Sequence, residues 1–93
     1  MYEDEDEAVK AAEQERKRFR EEMAFVMGAE LGRRFVARVA VSMCGSDVST
    51  FSPDAAYSAY AQGRRDLGNE LKQQARDFDL GLYMKMMEEF YGR

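Results

Sequence analysis

The tripeptide Gly-Arg-Arg occurs twice in the sequence, at residues 32–34 and again at residues 63–65. Each copy lies in a stretch whose apolar residues recur every three or four positions, which is the period of an amphipathic α-helix. A Gly- and Ser-rich segment and the single proline separate the two stretches. This arrangement predicts two helices that face each other across a turn and that both carry arginines.

The composition favours helices along the whole chain. The 93 residues, of which 45% are hydrophobic, are enough for one small domain. One proline, seven methionines and few β-branched residues are typical of an all-α protein, and no alternating pattern is long enough for a strand. We therefore expect an all-α fold, in which a compact bundle of three to four helices over residues 25–93 follows a long charged helical arm over residues 1–24.

The residue types that the sequence lacks disfavour several classes of function. It contains no histidine, which is the usual acid–base group near neutral pH and the commonest metal ligand. Its one cysteine, Cys44, cannot form an internal disulfide and has no histidine to activate it as a nucleophile. No run of about 18 apolar residues predicts a membrane span. We expect no catalytic residues, no metal ligands and no cofactor, and therefore no enzyme.

The N-terminal arm changes from acidic to basic along its length. Residues 3–7 are all Asp or Glu, and five basic residues follow them: Lys10, Arg16, Lys17, Arg18 and Arg20. This order favours a helix through the helix dipole, and an acidic start is unlike a secretory signal peptide. Because few apolar side chains accompany these charges, two interpretations stand. The arm is either a solvated helix end that frays or a segment that docks on a neighbouring chain.

The second helix is predicted between a break at Gly28 and a left-handed closing residue at Gly45. Its buried stripe is predicted from apolar residues that recur every four positions, namely Leu31, Phe35, Val39 and Met43, and Val36 and Ala40 widen this stripe. Three arginines lie on or beside the opposite face: Arg33, Arg34 and Arg38. In the connection that follows, Phe51 is expected to plug the core, with contact to a partner as the alternative.

The third helix is expected to start at Ser52-Pro53-Asp54, with the serine as its cap. One side of this helix carries Ala56, Tyr60, Arg64, Leu67, Leu71 and Ala75. Gly63 and Gly68 are unfavourable inside a helix, so they predict close approach of the second helix at Gly32. A fourth helix is expected from Asp77 or Asp79 to about Tyr91. Its inner stripe is predicted as Leu80, Tyr83, Met84, Met87 and Phe90, with Met86 and Tyr91 outside it.

An arginine within an apolar stripe needs an acidic partner, because burying it unpaired carries a large penalty. Arg64, or Arg65 beside it, is therefore expected to join an ion-pair network. The candidate acidic partners are Glu30, Glu70 and Glu88. A second interpretation places five arginines on one exposed face that contacts phosphate: Arg33, Arg34, Arg38, Arg64 and Arg65.

The order of several short elements resembles a family of small helical proteins of tailed, mainly short-tailed, bacteriophages that carry two Gly-Arg-Arg elements. These elements are Phe25-Val26, Gly32-Arg33-Arg34, Cys44-Gly45, Phe51, Tyr60 to Arg65, Gly68, Tyr83-Met84 and Glu88. The resemblance spans about residues 25–89 and does not include the arm. It singles out these residues as structural: Gly32, Arg33, Phe35, Phe51, Gly63, Arg64, Arg65, Gly68, Tyr83, Met84 and Glu88.

The resemblance implies phage origin and a place among virion-assembly genes, and it brings no enzymatic activity with it. We expect a non-enzymatic structural or assembly protein that acts through protein–protein contacts, first in the host cytoplasm and then in the virion. Its expected partners are portal, neck or core proteins, or copies of itself. The alternative is a DNA-contacting accessory protein in genome packaging or ejection, although a net charge of −4 disfavours it. Candidate contacts to phosphate or to a partner are Arg34, Arg38, Arg16 and Arg20.

Overall fold

The computed structural model describes the backbone of residues 2–92 and the side chains of residues 4–92. Met1 and Arg93, which end the predicted arm and the predicted domain, lie outside the described residues. Helix α1 spans Tyr2–Met27, and α2 spans Glu30–Ala37 and continues as a π-helical segment, Arg38–Met43. Helix α3 spans Ala55–Phe78, and α4 spans Leu80–Tyr91. The described chain contains no strand, so the all-α prediction is confirmed.

Helix α1 extends beyond the rest of the bundle. Every described side chain from residue 4 to residue 22 is exposed, and α1 first contributes to the core at Met23 and Met27. The radius of gyration is 16.7 Å, whereas a compact domain of this length has a value of about 12 Å. None of the helices in the described part of the chain is apolar over enough of its length to cross a membrane. The sequence places a boundary between arm and domain at residues 24 and 25. Helix α1 is continuous there, and the boundary stays a prediction.

The core is small and lies where the end of α1 meets α2, α3 and α4. Seven hydrophobic residues are buried between residues 4 and 92: three are alanines, and three are methionines, whose flexible side chains fill irregular space. The buried hydrophobic residues are Met23, Met27, Val36, Ala37, Ala40, Ala75 and Met86. Half-buried side chains that pack against them include Leu71, Phe78, Leu82 and Phe90.

Two close backbone contacts set how the helices are rotated. A methyl group on Gly68 of α3 would lie 2.5 Å from the carbonyl oxygen of Ala40 and 2.8 Å from the Cβ atom of Cys44. A methyl group on Gly32 would collide with the carbonyl oxygen of Val26, at the corner between α1 and α2. The predicted close approach at Gly68 is thus present, but Gly32 packs against α1 rather than α3. The expectation for Gly63 is wrong, because a methyl group on Gly63 would have no atom of a neighbouring segment within 4 Å among the described residues.

The predicted buried face of α2 is right for Val36 and Ala40, which are buried, and for Val39, which is half-buried, but it is wrong for the three largest residues. Leu31, Phe35 and Met43 are exposed, whereas the inward side is formed by Arg33, Val36, Ala37 and Ala40. The physical reason is the short distance between helices at this crossing: the carbonyl oxygen of Ala40 lies so close to Gly68 that a side chain on Gly68 would have no room, and Ala40 itself is fully buried. Helix α2 therefore turns its small residues inward and its large apolar residues toward solvent.

The faces of α3 and α4 are rotated in a similar way. On α3 the prediction holds for Leu71 and Ala75, but Ala56, Tyr60, Arg64 and Leu67 are exposed. On α4 the prediction holds for Tyr83, Met87 and Phe90, which are half-buried, but Leu80 and Met84 are exposed. Met86, which was expected outside the stripe, is fully buried. Aromatic and methionine residues occur on more than one side of α4, so the pattern alone did not define its inner face.

Local start and stop signals are mostly where the sequence predicts them. Helix α1 ends before Gly28, Gly45 has a φ of 65°, and Asp79 caps α4 by accepting a hydrogen bond from the Leu82 amide at 2.9 Å. Helix α3 begins later than expected. Its cap is Asp54 rather than Ser52, because the Asp54 carboxylate accepts from the amides of Ala56 and Tyr57 at 2.9 Å and 3.2 Å.

Phe51 does not plug the core, and the expectation that it does is wrong. Its side chain is 88% exposed. The neighbouring Thr50 holds the connection to α3 instead, because its hydroxyl donates to Gln62 at 3.0 Å and its carbonyl accepts from the Ser58 hydroxyl at 2.7 Å. These polar contacts fix the connection through its backbone and leave the aromatic ring in solvent.

Alanine substitutions at Gly68 and at Gly63 should have opposite effects on stability. In Gly68→Ala the new methyl group meets backbone of the crossing helix, and we expect a loss of about 1–3 kcal/mol in the free energy of unfolding. In Gly63→Ala it meets nothing, and we expect a gain of up to about 1 kcal/mol, since alanine is the better helix former. Urea unfolding beside the wild type measures both changes. Equal effects would contradict the close contact at Gly68.

Candidate functional site

Arg33 is a buried arginine that joins three helices. It lies on α2 and is 5% exposed. Its Nε donates to Glu89 Oε1 of α4 at 2.7 Å, and its Nη2 donates to Glu89 Oε2 at 3.4 Å. Its Nη1 donates to the carbonyl oxygen of Met27 at 2.9 Å. One guanidinium thus binds both oxygens of a carboxylate and satisfies a carbonyl that the end of α1 leaves without a helical partner.

The sequence correctly predicts a buried arginine with an acidic partner, but it assigns this role to the wrong residue. Arg64 is exposed, its Nη2 donates to the carbonyl oxygen of Met43, and its guanidinium carbon lies 5.6 Å from the centre of the Tyr60 ring. Arg65 is half-buried and its Nε donates to the carbonyl oxygen of Ser46 at 3.1 Å. The contact at Gly68 turns Arg65, rather than Arg64, toward the neighbouring segment.

Glu89 is the acidic partner that the sequence analysis missed. The candidates were Glu30, Glu70 and Glu88, and Glu88 is exposed. Glu89 lies three positions after Met86, so the two residues share a face of α4. If Met86 is assigned to the inner face of α4, the Glu89 carboxylate also lies on that face and requires a basic partner. The signal was present in the sequence, but it depended on the correct rotation of α4.

The five predicted phosphate-contacting arginines do not share an exposed face, so that prediction is wrong. Arg33 is buried, and Arg65 is half-buried and bound to backbone. Arg34 is half-buried, while Arg38 and Arg64 are exposed. The two arm residues Arg16 and Arg20 are exposed and line a groove between α1 and α3.

Large apolar side chains are exposed at several places on the described bundle, and we name two groups of them. The first, which we call the α2 patch, consists of Leu31 and Phe35, one helical turn apart and 76% and 63% exposed. The second, which we call the α3 patch, consists of Met43, Tyr60 and Leu67. Arg64 contacts two members of the α3 patch, because it donates to the carbonyl oxygen of Met43 and lies over the Tyr60 ring. Exposed apolar patches of this kind often mark interaction surfaces in small proteins.

The remaining residues singled out by the sequence are dispersed. Tyr83 is half-buried, and the Arg76 guanidinium lies 5.9 Å from the centre of its ring. Gly63, Met84 and Glu88 are exposed. Among the described residues, we observe no contact that joins them to Arg33 or to either patch, so they do not form a common site.

A second polar cluster ties the α2–α3 connection to both following helices. Asp47 accepts from Lys72 Nζ of α3 at 2.9 Å and from the Tyr91 hydroxyl of α4. The Tyr91 hydrogen bond and, after it, the Lys72 hydrogen bond lower the pKa of Asp47 below its usual value of 3.8. The same hydrogen bond raises the pKa of Tyr91 to about 12. The three residues come from separate segments, and no pattern in the sequence predicted their contact.

Residues 23–88 of the chain match a protein family described as Bbp19-like phage protein. The fold and this match define a helical phage protein. The match covers more than half of the chain, so the protein belongs to the Bbp19-like phage protein family, and the predicted bacteriophage origin is confirmed. The matched region starts at Met23, where α1 enters the core, and leaves the exposed part of α1 outside it. Neither a curated protein nor a solved structure matches the chain.

Arg33→Met should destabilise the protein strongly. It leaves the Glu89 carboxylate, whose side chain is 15% exposed, without its guanidinium partner, and leaves the Met27 carbonyl without its donor. We expect a loss of about 2–4 kcal/mol in the free energy of unfolding. The control is Lys72→Met, which breaks an ion pair whose Asp47 side chain is 48% exposed, with an expected loss of about 1 kcal/mol or less. Urea unfolding compares the two, and a smaller loss in Arg33→Met than in the control would contradict the assignment.

Tyr91→Phe should change how stability depends on pH. Because the contact needs a protonated Tyr91, its contribution is complete below pH 10.0 and is lost as the pH rises through about 12. As the pH rises from 10.0 to about 12, the melting temperature should therefore fall less in Tyr91→Phe than in the wild type. The pKa of Asp47, followed by NMR, should move up toward 3.8 and remain below it, since Lys72 still donates. Tyr57→Phe, at an exposed tyrosine outside this cluster, is the control and should change neither measurement.

Proposed function

We propose that the protein is a non-enzymatic structural or assembly component of a tailed-phage particle that acts through protein–protein contacts. The observation that carries this proposal is the imbalance between its core and its surface. Among the described residues, seven hydrophobic residues are buried, whereas fourteen large hydrophobic residues are exposed. A small helical protein with this distribution gains stability when partners cover its apolar patches.

The α2 patch is the surface that we assign to the partner. Leu31 and Phe35 flank Gly32 and Arg33, which hold the corner between α1 and α2, so a rigid part of the fold presents them. Preorganised apolar anchors lose little conformational entropy on binding, which favours recognition. Both residues lie within the region that matches the phage family, which supports a role for this patch in the function of the family.

The family membership supports a partner of phage origin. We propose that the partner is a portal, neck or core protein of the virion, or another copy of this chain. The protein would then act in the host cytoplasm during assembly and remain in the particle. The burial of Arg33 and the backbone contact of Arg65 reduce the support for the DNA-contacting alternative, because these arginines are already bound within the protein.

The test compares particle incorporation of two double variants. Leu31→Ser with Phe35→Ser removes the α2 patch, and both side chains are exposed, so the isolated variant should keep its helix content and melt within a few degrees of the wild type. We expect it to be depleted at least about tenfold from purified particles by quantitative mass spectrometry, since loss of an anchor that acts as a hot spot weakens binding by about 2 kcal/mol or more. The wild type should purify with the particles.

The matched control is Leu80→Ser with Met84→Ser, which removes an apolar pair of the same spacing and similar exposure on α4. It should be incorporated like the wild type. Absence of the wild-type protein from particles would overturn the virion role. Equal incorporation of both double variants would show that the α2 patch is not the contact surface.

A further inference from the structure

The exposed part of α1 carries an apolar seam that nothing in the described chain covers completely. Val9, Ala12, Phe19 and Met23 follow one another at spacings of three, seven and four residues, with Arg16 between Ala12 and Phe19. These spacings are those of the a and d positions of a coiled coil. Val9 and Phe19 are exposed, while Met23 is buried in the core. A helix surrounded by water on all sides is only marginally stable, so this seam suits contact with another helix.

A groove between α1 and α3 provides the second wall for such a helix. Its volume is about 750 Å³, and it is open to solvent. The seam residues Ala12, Phe19 and Met23 line it on α1, and Leu67, Leu71 and Phe78 line it on α3. The lining residues on α3 recur at intervals of four and seven, so both walls present apolar residues at helical spacing. Between these apolar residues the walls carry Glu15, Arg16, Arg20, Glu70, Gln74 and Asp77. The groove therefore fits one added helix that presents both apolar and charged residues.

The charges on α1 indicate which helix binds in the groove. Residues 4–7 are acidic and exposed, whereas residues 16–18 and Arg20 are basic and exposed. The centres of these two segments lie about 19 Å apart along the helix axis. A second α1 laid antiparallel, with its middle near Ala12, brings each acidic segment beside the basic segment of the other copy. A parallel arrangement brings like charges together, so the charges select the antiparallel one.

We propose that the groove binds α1 of a second copy of this chain, so that two chains form an antiparallel, twofold-symmetric dimer through their arms. With the middle near Ala12, the N-terminal half of each arm, which carries Val9 and Ala12, lies in the groove of the other, as an isologous interface requires. The apolar seam provides affinity, and the charged segments provide orientation, since exposed ion pairs contribute little affinity by themselves. This proposal does not depend on the place of the protein in a particle, and the arm lies outside the region that matches the family.

The first experiment measures the mass of the purified full chain by light scattering over a range from micromolar to several hundred micromolar. We expect a mass twice that of the 10.7 kDa chain. Ala12→Glu places a charge in the seam and should shift the protein to monomer. The matched control is Ala11→Glu, the same substitution one position away and outside the seam, which should remain a dimer. Circular dichroism should show folded protein in both cases, because both alanines are exposed.

The second experiment tests orientation by charge reversal. One variant replaces residues 4–7 with lysine, and the other replaces residues 16–18 and Arg20 with glutamate. Each variant alone carries the same sign of charge in both substituted and unsubstituted segments and should be monomeric, while an equimolar mixture should form a heterodimer of twice the chain mass. A monomeric wild type at all concentrations, or equal masses for Ala12→Glu and Ala11→Glu, would overturn the dimer. Charge-reversed variants that dimerise alone as well as the wild type would overturn the antiparallel arrangement.

The two proposals fail in distinguishable ways. A monomer in solution contradicts the arm dimer and leaves the particle assignment standing, because the α2 patch lies on a different helix. Absence from particles contradicts the virion role and leaves the measured solution mass unchanged.

Discussion

The packing of this protein depends on the guanidinium of Arg33. It is the one described group that binds the end of α1, lies on α2 and pairs with α4 at the same time. Gly32, the residue before it, lets α2 approach the backbone of α1 closely enough for Arg33 to reach the Met27 carbonyl. With so few large buried apolar residues in its described part, the bundle relies on this directional contact to define how its helices meet, because hydrophobic burial has little directional preference.

The sequence predicts the helices well because their ends are marked by local chemistry. The break at Gly28, the positive φ of Gly45 and the cap at Asp79 each depend on a residue and its immediate neighbours. The start of α3 was misplaced because Ser52 and Asp54 are both good capping residues, and the choice between them depends on the connection that precedes the helix. Local signals of this kind need no knowledge of the tertiary fold.

The rotation of the helices was much harder to predict. Leu31 and Phe35 form a regular apolar stripe, and the inference that the stripe is buried assumes that large apolar residues decide the packing. Here small residues decide it, because Ala40 and Gly68 allow two backbones to meet. The same difficulty affected the site: the requirement for a paired inward arginine was correct, but choosing Arg33 and Glu89 required a contact between residues 56 positions apart.

The π-helical segment Arg38–Met43 has a consequence for the length of the chain. A π-helical turn closes its hydrogen bonds over five residues instead of four, so this segment holds roughly one residue more than an α-helix that spans the same distance. The Cys44 amide, which donates to the Val39 carbonyl at 2.9 Å, ends the segment in the same pattern. Deletion of one residue here should therefore leave an ordinary α-helix that still brings its small residues against the glycine of α3. A change of one residue in the length of this segment can thus be accommodated without rotating the two ends of the helix relative to each other.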